Sequence, residues 1–542
     1  MIEKITGSCY KSMIDYGINH LDKHCATVNE LNVFPLPDGD TGTNMVMTLK
    51  NGRQSIGEDS ESISRVAENF ANATVFGARG NSGVITSQFF KGISEGLKNE
   101  IEADCRAFFR ALDKGREYAY ASVATPVEGT MLTVIKEATA AVGERIDSLD
   151  TIDEVVTLFV DEATKSLKNT PKLLPILKKA GVVDSGGAGV VYFFEGVQRY
   201  LRGEPMETVE AAVAAPEGAV DYSVFNTHSV FDYGYCTELL LQLTEYREPL
   251  DRDYFLGTLG EMGNSLVASF EADKVKVHIH TMTPEEILEF CHRFGEFLTV
   301  KIENMTVQHS QTTKKYLCSE NIDEGNFAIV AVAPNTLLQN MLSEMGADVV
   351  IMSPEVPSSK DFIEAFEHIS LRDILVFPNS SNSILSAMQA ASLYKKAKIK
   401  VLNCRSIAQC YSAMAIIDFD AYPDAVVDEI NDTIGNIYEV AVVHASKNIK
   451  YGDRNIVKND YFALSGDEIL ATADKAIDVI TFTVSHVLEN KDCDVINLFY
   501  GQNISKEEVE KVAGRIAASA SGVEVCTIPT QNSVYDFILS FE

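Results

Sequence analysis

Asp38 and Asp40 stand two residues apart among glycines, within residues 31–45 (LNVFPLPDGDTGTNM). A strand or tight turn there aims both carboxylates at one point. Gly39 and Gly42 allow the backbone to approach a phosphate closely. Hard oxygen ligands beside an open backbone suit Mg2+ held together with a nucleotide. The same residues also read as a polar loop ending in a helix cap, and DGDTG alone does not choose between the two.

Three further segments have the same character. In residues 76–88 (FGARGNSGVITSQ) a glycine-rich turn runs straight into an apolar helix. The N–H groups at that helix start, with Asn81 and Ser82 nearby, make an anion site to which Arg79 could add charge. Tight packing explains such a helix start as well. Residues 126–133 (PVEGTMLT) and 180–190 (AGVVDSGGAGV) again set a small polar cluster on a glycine turn before a helix. Glycine costs roughly 1 kcal/mol within a helix. Four such loops in one helical region therefore point to a crown at one end of a bundle, able to wrap a nucleotide. No G-x-x-x-x-G-K-[ST] loop is present, and no G-x-G-x-x-G follows a strand.

A second kind of chemistry is offered by His278 and His280 in KVKVHIH. Residues i and i+2 of a strand share a face, so Val275, Val277 and Ile279 would face a core and leave the imidazoles side by side. Cys236, in GYCTE, could complete a His2Cys set with an open position, the ligand pattern of catalytic zinc. Two histidines on a sheet surface are also commonly just exposed. His20 and His24, at helical spacing, read as a solvated face. So do the isolated His292, His309, His368, His444 and His486. Cys404 and Cys410 read as packed thiols.

These residues need elements to position them. Residues 1–203 read as helical: Ile63, Val66, Ala67 and Phe70 follow i, i+3, i+4, i+7, as do Phe108, Ala111, Leu112 and Gly115, and Ile152, Val155, Val156 and Phe159. Residues 204–220 (EPMETVEAAVAAPEGAV) have little with which to build a core and read as a linker. Residues 221–312 look mixed, with strands over 235–244 and 274–280 and a helix over 284–294 capped by Thr283. In 326–542 apolar β-type runs (327–333, 349–352, 374–377, 440–443, 495–500) alternate with helical stretches such as 383–394 and 506–518, the pattern of a parallel or mixed α/β domain.

A chain of 542 residues exceeds one core. No run of about 18 apolar residues suggests a membrane span, and the N-terminus has no signal-peptide core. Ten cysteines without a CxxC pair fit a reducing cytoplasm. A net charge of −32 makes nucleic acid and anionic membrane poor partners.

The segments LNVFPLPDGDTGTNM, GARGNSG, PVEGTML and VVDSGGAG together resemble the nucleotide-binding (DAK2) domain of the dihydroxyacetone-kinase family. Over nearly its whole length the chain resembles the fatty acid kinase A-subunit family. PNSSNSIL (378–385) and QNSVYDFILSFE (531–542) echo that family's DegV-like C-terminal domain. The resemblance implies a multidomain protein: an all-α helical barrel as kinase domain (1–203), a small α/β middle domain (221–312) and a DegV-like α/β C-terminal docking domain (326–542).

It further implies that ATP binds at one end of the barrel with two Mg2+ ions. Asp38 and Asp40 would be metal ligands. Gly42, Thr43 and Asn44 would sit beside the phosphates. Asn81, Ser82 and Gly83 would hold phosphate, and Gly129, Thr130 and Met131 would line the nucleotide. Asp184, Ser185, Gly186 and Gly187 would close over it. Dihydroxyacetone kinases carry a third aspartate where this chain has Val33, with Asn32 as a substitute oxygen ligand. Cys236, His278 and His280 are associated in the family with metal, here Zn2+, and with activity. The implied reaction is phosphorylation of the carboxylate of a fatty acid presented by a fatty-acid-binding DegV-family carrier protein, giving an acyl phosphate for phospholipid synthesis. Many relatives are dimers, so a homodimer is an open expectation. A dihydroxyacetone-like small-molecule kinase and a non-catalytic nucleotide-sensing scaffold are the alternatives. MSPEVPSS (352–359) departs from the glycine- and threonine-rich loop of relatives, which bears on carrier docking.

Overall fold

The computed structural model describes residues 2–32, 39–57, 62–206, 235–244, 246–271, 273–304, 315–319, 322, 325–371, 373–445, 448–451, 454–466, 468–520, 522–532 and 535–542. They belong to two compact units, one formed by Met1–Glu210 with Tyr316–Glu542 and the other by Ala211–Lys315. The linker expected over 204–220 lies outside the described residues from 207 onward.

The first half of the larger unit is a helical bundle: α1 (Gly7–Lys23), α2 (Cys25–Leu31), α3 (Thr41–Gln54), α4 (Ile63–Phe76), α5 (Gly80–Gly96), α6 (Cys105–Ala121), α7 (Met131–Arg145), α8 (Ile152–Leu173), α9 (Pro175–Ala180) and α10 (Ser185–Leu201). The periodic apolar sets are its core, with Val66, Phe70, Ala111, Leu112, Val155, Val156 and Phe159 all fully buried. Phe159 and Phe194 meet at a ring distance of 4.4 Å and Phe70 and Phe90 at 5.0 Å. Helices α5 and α6 approach so closely that a Cβ on Gly92 would collide with the Lys114 carbonyl. Helix starts are capped locally, as at Thr151, whose capping box with Glu154 opens α8.

His20 and His24 are not the solvated pair expected. His20 is buried, meets His24 edge-on at 4.7 Å and lies 3.5 Å from the Glu195 carboxylate. His24 stacks on Tyr192 at 4.2 Å. The partners come from α10, far downstream in the chain, which helical spacing within α1 could not reveal. His444, expected to stand alone, has Asp536 at 2.7 Å, and His292 lies 3.3 Å from Glu296. Cys404 and Cys410 are fully buried, and burial pushes the Cys404 thiol up to about 12.

The second half of the larger unit holds two sheets. The first has order β5-β7-β6-β8-β9, from β5 (Tyr316–Cys318), β6 (Ala328–Ala333), β7 (Val349–Met352), β8 (Asp373–Phe377) and β9 (Lys398–Val401). It is parallel except for the edge strand β5. Crossover helices α13 (Thr336–Glu344), α14 (Ser359–Phe366) and α15 (Ser381–Leu393) connect its parallel strands, and α16 (Ile407–Ala415) and α17 (Pro423–Asn436) lead on. The second sheet pairs β10 (Tyr438–His444), β13 (Tyr461–Ser465), β14 (Glu468–Ala473), β15 (Val495–Tyr500), β16 (Glu524–Pro529) and β17 (Phe537–Phe541), in order β14-β13-β10-β17-β15-β16. Only β15 and β16 run parallel in it. A hairpin of β11 (Ile449–Tyr451) and β12 (Arg454–Ile456), with α18 (Ala476–Leu488) and α19 (Lys506–Ser519), completes this half.

The two halves meet along α15, which lies against α5. Gln389 donates to the Val75 carbonyl at 2.6 Å and accepts from Gln88 at 2.8 Å. Ser359 N–H donates to the Ala78 carbonyl, and Arg79 pairs with Ser358 as an isolated bridge.

The smaller unit is an antiparallel sheet of order β2-β3-β1-β4, from β1 (Tyr235–Leu243), β2 (Asn264–Glu271), β3 (Lys274–Thr281) and β4 (Gly295–Asn304), with α11 (Arg252–Met262) and α12 (Pro284–His292). Val275, Val277 and Ile279 are fully buried, as the alternation requires. Thr283 occupies the cap position of α12, but its hydroxyl donates to the Glu286 carboxylate at 3.1 Å and makes no cap hydrogen bond.

Candidate functional site

Four helices begin around one cavity of about 650 Å³, which takes its lining from the first residues of α3, α5, α7 and α10. Each start is preceded by one of the glycine-rich segments. Their N–H groups and dipoles make this end of the bundle receptive to negative charge.

At α3 the chain turns at Gly39, whose φ of +51° lies in the left-handed region that favours glycine. Asp40 follows as the residue before the helix, and Thr41 and Asn44 line the cavity one turn apart. The Asp40 Oδ2 atom accepts from Asn44 Nδ2 at 2.9 Å and from Asn382 Nδ2, in α15, at 3.3 Å. Burial raises the carboxyl above its usual range, against the lowering effect of these amides. No cation among the described residues contributes to that balance.

Gly42 and Thr43 are turned the other way. Both donate backbone N–H to Asn29 Oδ1, at 2.7 and 3.2 Å, and Asn29 Nδ2 donates to the Thr43 hydroxyl. Gly42 is small because α2 lies against it, with the Cys25 carbonyl in the place of a Cβ. Neither residue is among those lining the cavity; both take part in a helix-helix seam with α2. Asn32 does line it, while Asp38 and Val33 lie outside the described residues.

At α5, Asn81 and Ser82 face the cavity. Gly83 packs under Thr48 instead. Arg79, expected to add charge here, donates to the Val356 carbonyl at 3.0 Å and lies near Glu355 and Asp361 at 3.9 and 4.0 Å. It serves the seam between the halves. At α7, Thr130 and Met131 line the space, and Gly129 (φ +88°) packs on Leu174. At α10, Asp184 accepts from Gly187 N–H at 2.6 Å, capping the helix, with Ser185 and Gly186 beside it on the cavity wall. Gly187 is occupied by that cap. Desolvation pushes the Asp184 carboxyl up to about 6. Ser185 Oγ and Thr41 Oγ1, at 3.3 Å, tie α10 to α3.

The rest of the lining includes a more apolar set: Val123 and Val127 before α7, and Ile384, Leu385 and Met388 of α15. Val127 falls in PVEGTMLT, and Asn382, Ile384 and Leu385 fall in PNSSNSIL, but the sequence patterns single out none of them as a site residue. PNSSNSIL echoes the DegV-like domain, and nothing local to it shows that Asn382 meets Asp40.

Two desolvated carboxylates held by neutral donors, beside four helix starts, form a set that a divalent cation with a polyanion would neutralise. The residues fit Mg2+ by that measure. In the smaller unit, Cys236 stands opposite His280 and Glu238 opposite His278 in the β1–β3 register. The side chains of Cys236, His278 and His280 lie outside the described residues.

Three family models match the chain: the DAK2 domain over residues 35–199, the middle domain of the fatty acid kinase A-subunit-like family over 232–312, and the C-terminal domain of that same family over 328–542. Uncharacterized proteins of Staphylococcus aureus strains USA300 and MRSA252 are each 30% identical over 551 residues, covering 100% of both chains. Among solved structures, the dihydroxyacetone kinase of C. freundii in complex with AMP-PNP and Mg2+ is similar to 42% of this chain and 50% of its own, with TM-score 0.34 and 11% identity. A fatty-acid-binding DegV family protein from Thermus thermophilus matches 40% of this chain and 99% of its own, with TM-score 0.33 and 13% identity. The fatty acid kinase B3 protein of Streptococcus pneumoniae, loaded with linoleic acid, covers the same shares with TM-score 0.30 and 15% identity.

Proposed function

The chain belongs to the fatty acid kinase A-subunit-like family, and we propose that it is an ATP- and Mg2+-dependent phosphotransferase acting on the carboxylate of a fatty acid. The acid would be presented by a separate fatty-acid-binding protein of the DegV family, and the product would be an acyl phosphate for phospholipid synthesis. The observation that carries this reading is the convergence of four helix starts on a cavity holding the desolvated carboxylate of Asp40.

Phosphoryl transfer asks a protein mainly for positioning and for neutralisation of charge. Asp40 would hold Mg2+, with Asp38 and Asn32 as further oxygen donors, and the bound ion would offset charge on the phosphates. The N–H groups that open α5 and α10 would bind phosphate oxygens, assisted by Asn81, Ser82 and Ser185. Thr130 and Met131 would border the nucleotide. Delivery of the acid on a carrier suits an acyl chain that is poorly soluble in water.

The test is calorimetry of the full chain with ATP, with and without Mg2+, followed by phosphate transfer to carriers loaded with fatty acid. Magnesium-assisted binding and acyl phosphate formation are expected. Binding without turnover on any loaded carrier would favour a nucleotide-sensing scaffold, and transfer to dihydroxyacetone would favour the small-molecule kinase. The cross-strand placement of Cys236 and His280, with His278 two residues along, supports a Zn2+ site in the smaller unit. Metal analysis of the purified protein and of Cys236→Ala checks it: zinc near one per chain should be lost in the variant.

A further inference from the structure

We infer that the C-terminal half completes the phosphoryl-transfer site within the same chain, with Asn382 as the positioning residue of the carboxylate Asp40. The inference rests on the reading of that cavity as a Mg·ATP site.

The position of Asn382 follows from the first sheet of the C-terminal half. Strand β6 is central, with β7 on one side and β8 on the other, so the connections change direction between β6 and β8. In open α/β sheets the carboxyl ends of strands at such a point form a crevice for ligands. The turn from β8 into α15 lies there. It is held in one shape: Asn379 adopts φ +61° and donates to the Val332 carbonyl of β6 at 2.8 Å, and Ser380 caps α15 through Asn382 N–H. A non-glycine residue in the left-handed region is a cost kept only where the surroundings enforce it.

This crevice is turned to the helix starts of the bundle, so the two halves share one cavity. Asn382 reaches across it. Its Nδ2 donates to Asp40 Oδ2, and its Oδ1 accepts from Asn81 Nδ2, each at 3.3 Å. Asn44 donates to the same Asp40 oxygen. Two amides from different halves thus hold Oδ2, which fixes the carboxylate and leaves Oδ1 as the atom that would hold a cation. Both are neutral, so they orient the ligand without competing for it by charge. Groups that orient a metal-binding carboxylate in this way typically account for about 10- to 100-fold in metal affinity.

The experiment compares the full wild-type chain, Asn382→Ala and Gln88→Ala. Gln88→Ala removes a seam hydrogen bond to Gln389 that does not involve the carboxylate and controls for looser docking of the halves. Each protein is titrated with Mg2+ at fixed ATP, and its turnover is measured at saturating Mg2+. Asn382→Ala should raise the half-saturating Mg2+ concentration about 10-fold with turnover at saturation nearly retained, while Gln88→Ala leaves the Mg2+ dependence as in wild type. If wild type takes up Mg·ATP and Asn382→Ala has the same Mg2+ dependence, or if both variants shift alike, this inference is overturned alone. If wild type shows no magnesium-assisted binding, the functional reading falls, and this inference with it.

Discussion

The cavity has two walls built by different means. The bundle wall is four helices meeting the space at their starts, each with a short polar side chain after a turn that glycine makes possible, although the Gly42 and Thr43 N–H groups of α3 are already taken by Asn29. The second wall includes one helix, α15, which contributes its first turn, Ser381 and Asn382, followed by the apolar Ile384, Leu385 and Met388. Helix ends carry partial charge, and four of them gathered on one wall concentrate more of it than the single end of α15 on the other. The first wall is therefore suited to gripping a polyanion. The second sets the shape of the space and offers apolar surface beside it. Charge and shape are drawn from regions far apart in the chain, as the 342-residue separation of Asp40 and Asn382 shows.

The sharpest way to break this division is at Asp40. Asp40→Ala should lower Mg·ATP-dependent transfer by at least about 100-fold with the thermal transition little changed. Full activity would remove Asp40 from the charged wall. Next is the packing that holds the bundle wall in place. Gly92→Ala drives a methyl group into the Lys114 carbonyl between α5 and α6 and should cost about 2 kcal/mol, seen as a lower urea midpoint. An unchanged midpoint would mean that α5 can shift without loss.

A comparable effect of opposite sign is expected at Asp184. Its carboxyl titrates near 6 in the folded chain against 3.8 for the ordinary group. The folded state therefore holds the proton more tightly, and stability falls as pH rises from about 4 to about 6. Asp184→Asn keeps a capping oxygen and cannot ionise. Without Mg2+ it should be more stable than wild type at pH 7.5, by on the order of 2 kcal/mol, and nearly equal to it at pH 4. Equal melting temperatures at both pH values would show that burial there costs nothing. The smallest effect is expected at the seam, where Arg79→Ala should lower stability by about 1 kcal/mol and leave the Mg2+ dependence unaltered. A changed Mg2+ dependence would return Arg79 to the charged wall.

The bundle wall was legible in the chain because its signals are local. Glycine, a small polar residue and an apolar helical period follow one another closely at each helix start. The strands were legible for a similar reason, since runs such as 328–333 are buried on both faces and read as continuous apolar segments. Local signals did not say which way a residue turns on a helix. Gly42 and Gly83 were expected beside phosphate, yet each is small because another helix or side chain presses on it. Nor did they show partners distant in sequence. Asn382 opposite Asp40, Arg79 under Val356, and His20 beside Glu195 depend on pairings between elements, which single-segment patterns do not encode.

The residues that pack as one unit are interrupted in the chain by a second unit, Ala211–Lys315. During synthesis the helical half emerges first, with the Val75 carbonyl and the flank of α5 still lacking the glutamine that later covers them. Docking must wait until α15 has left the ribosome, with the intervening segment as a long closing loop. Loop-closure entropy grows only slowly with length, so the delay is one of time more than of free energy. Cutting the chain at the apparent border near residue 203 would leave a surface that never finds its cover, exposed to the association that threatens unfinished multidomain chains.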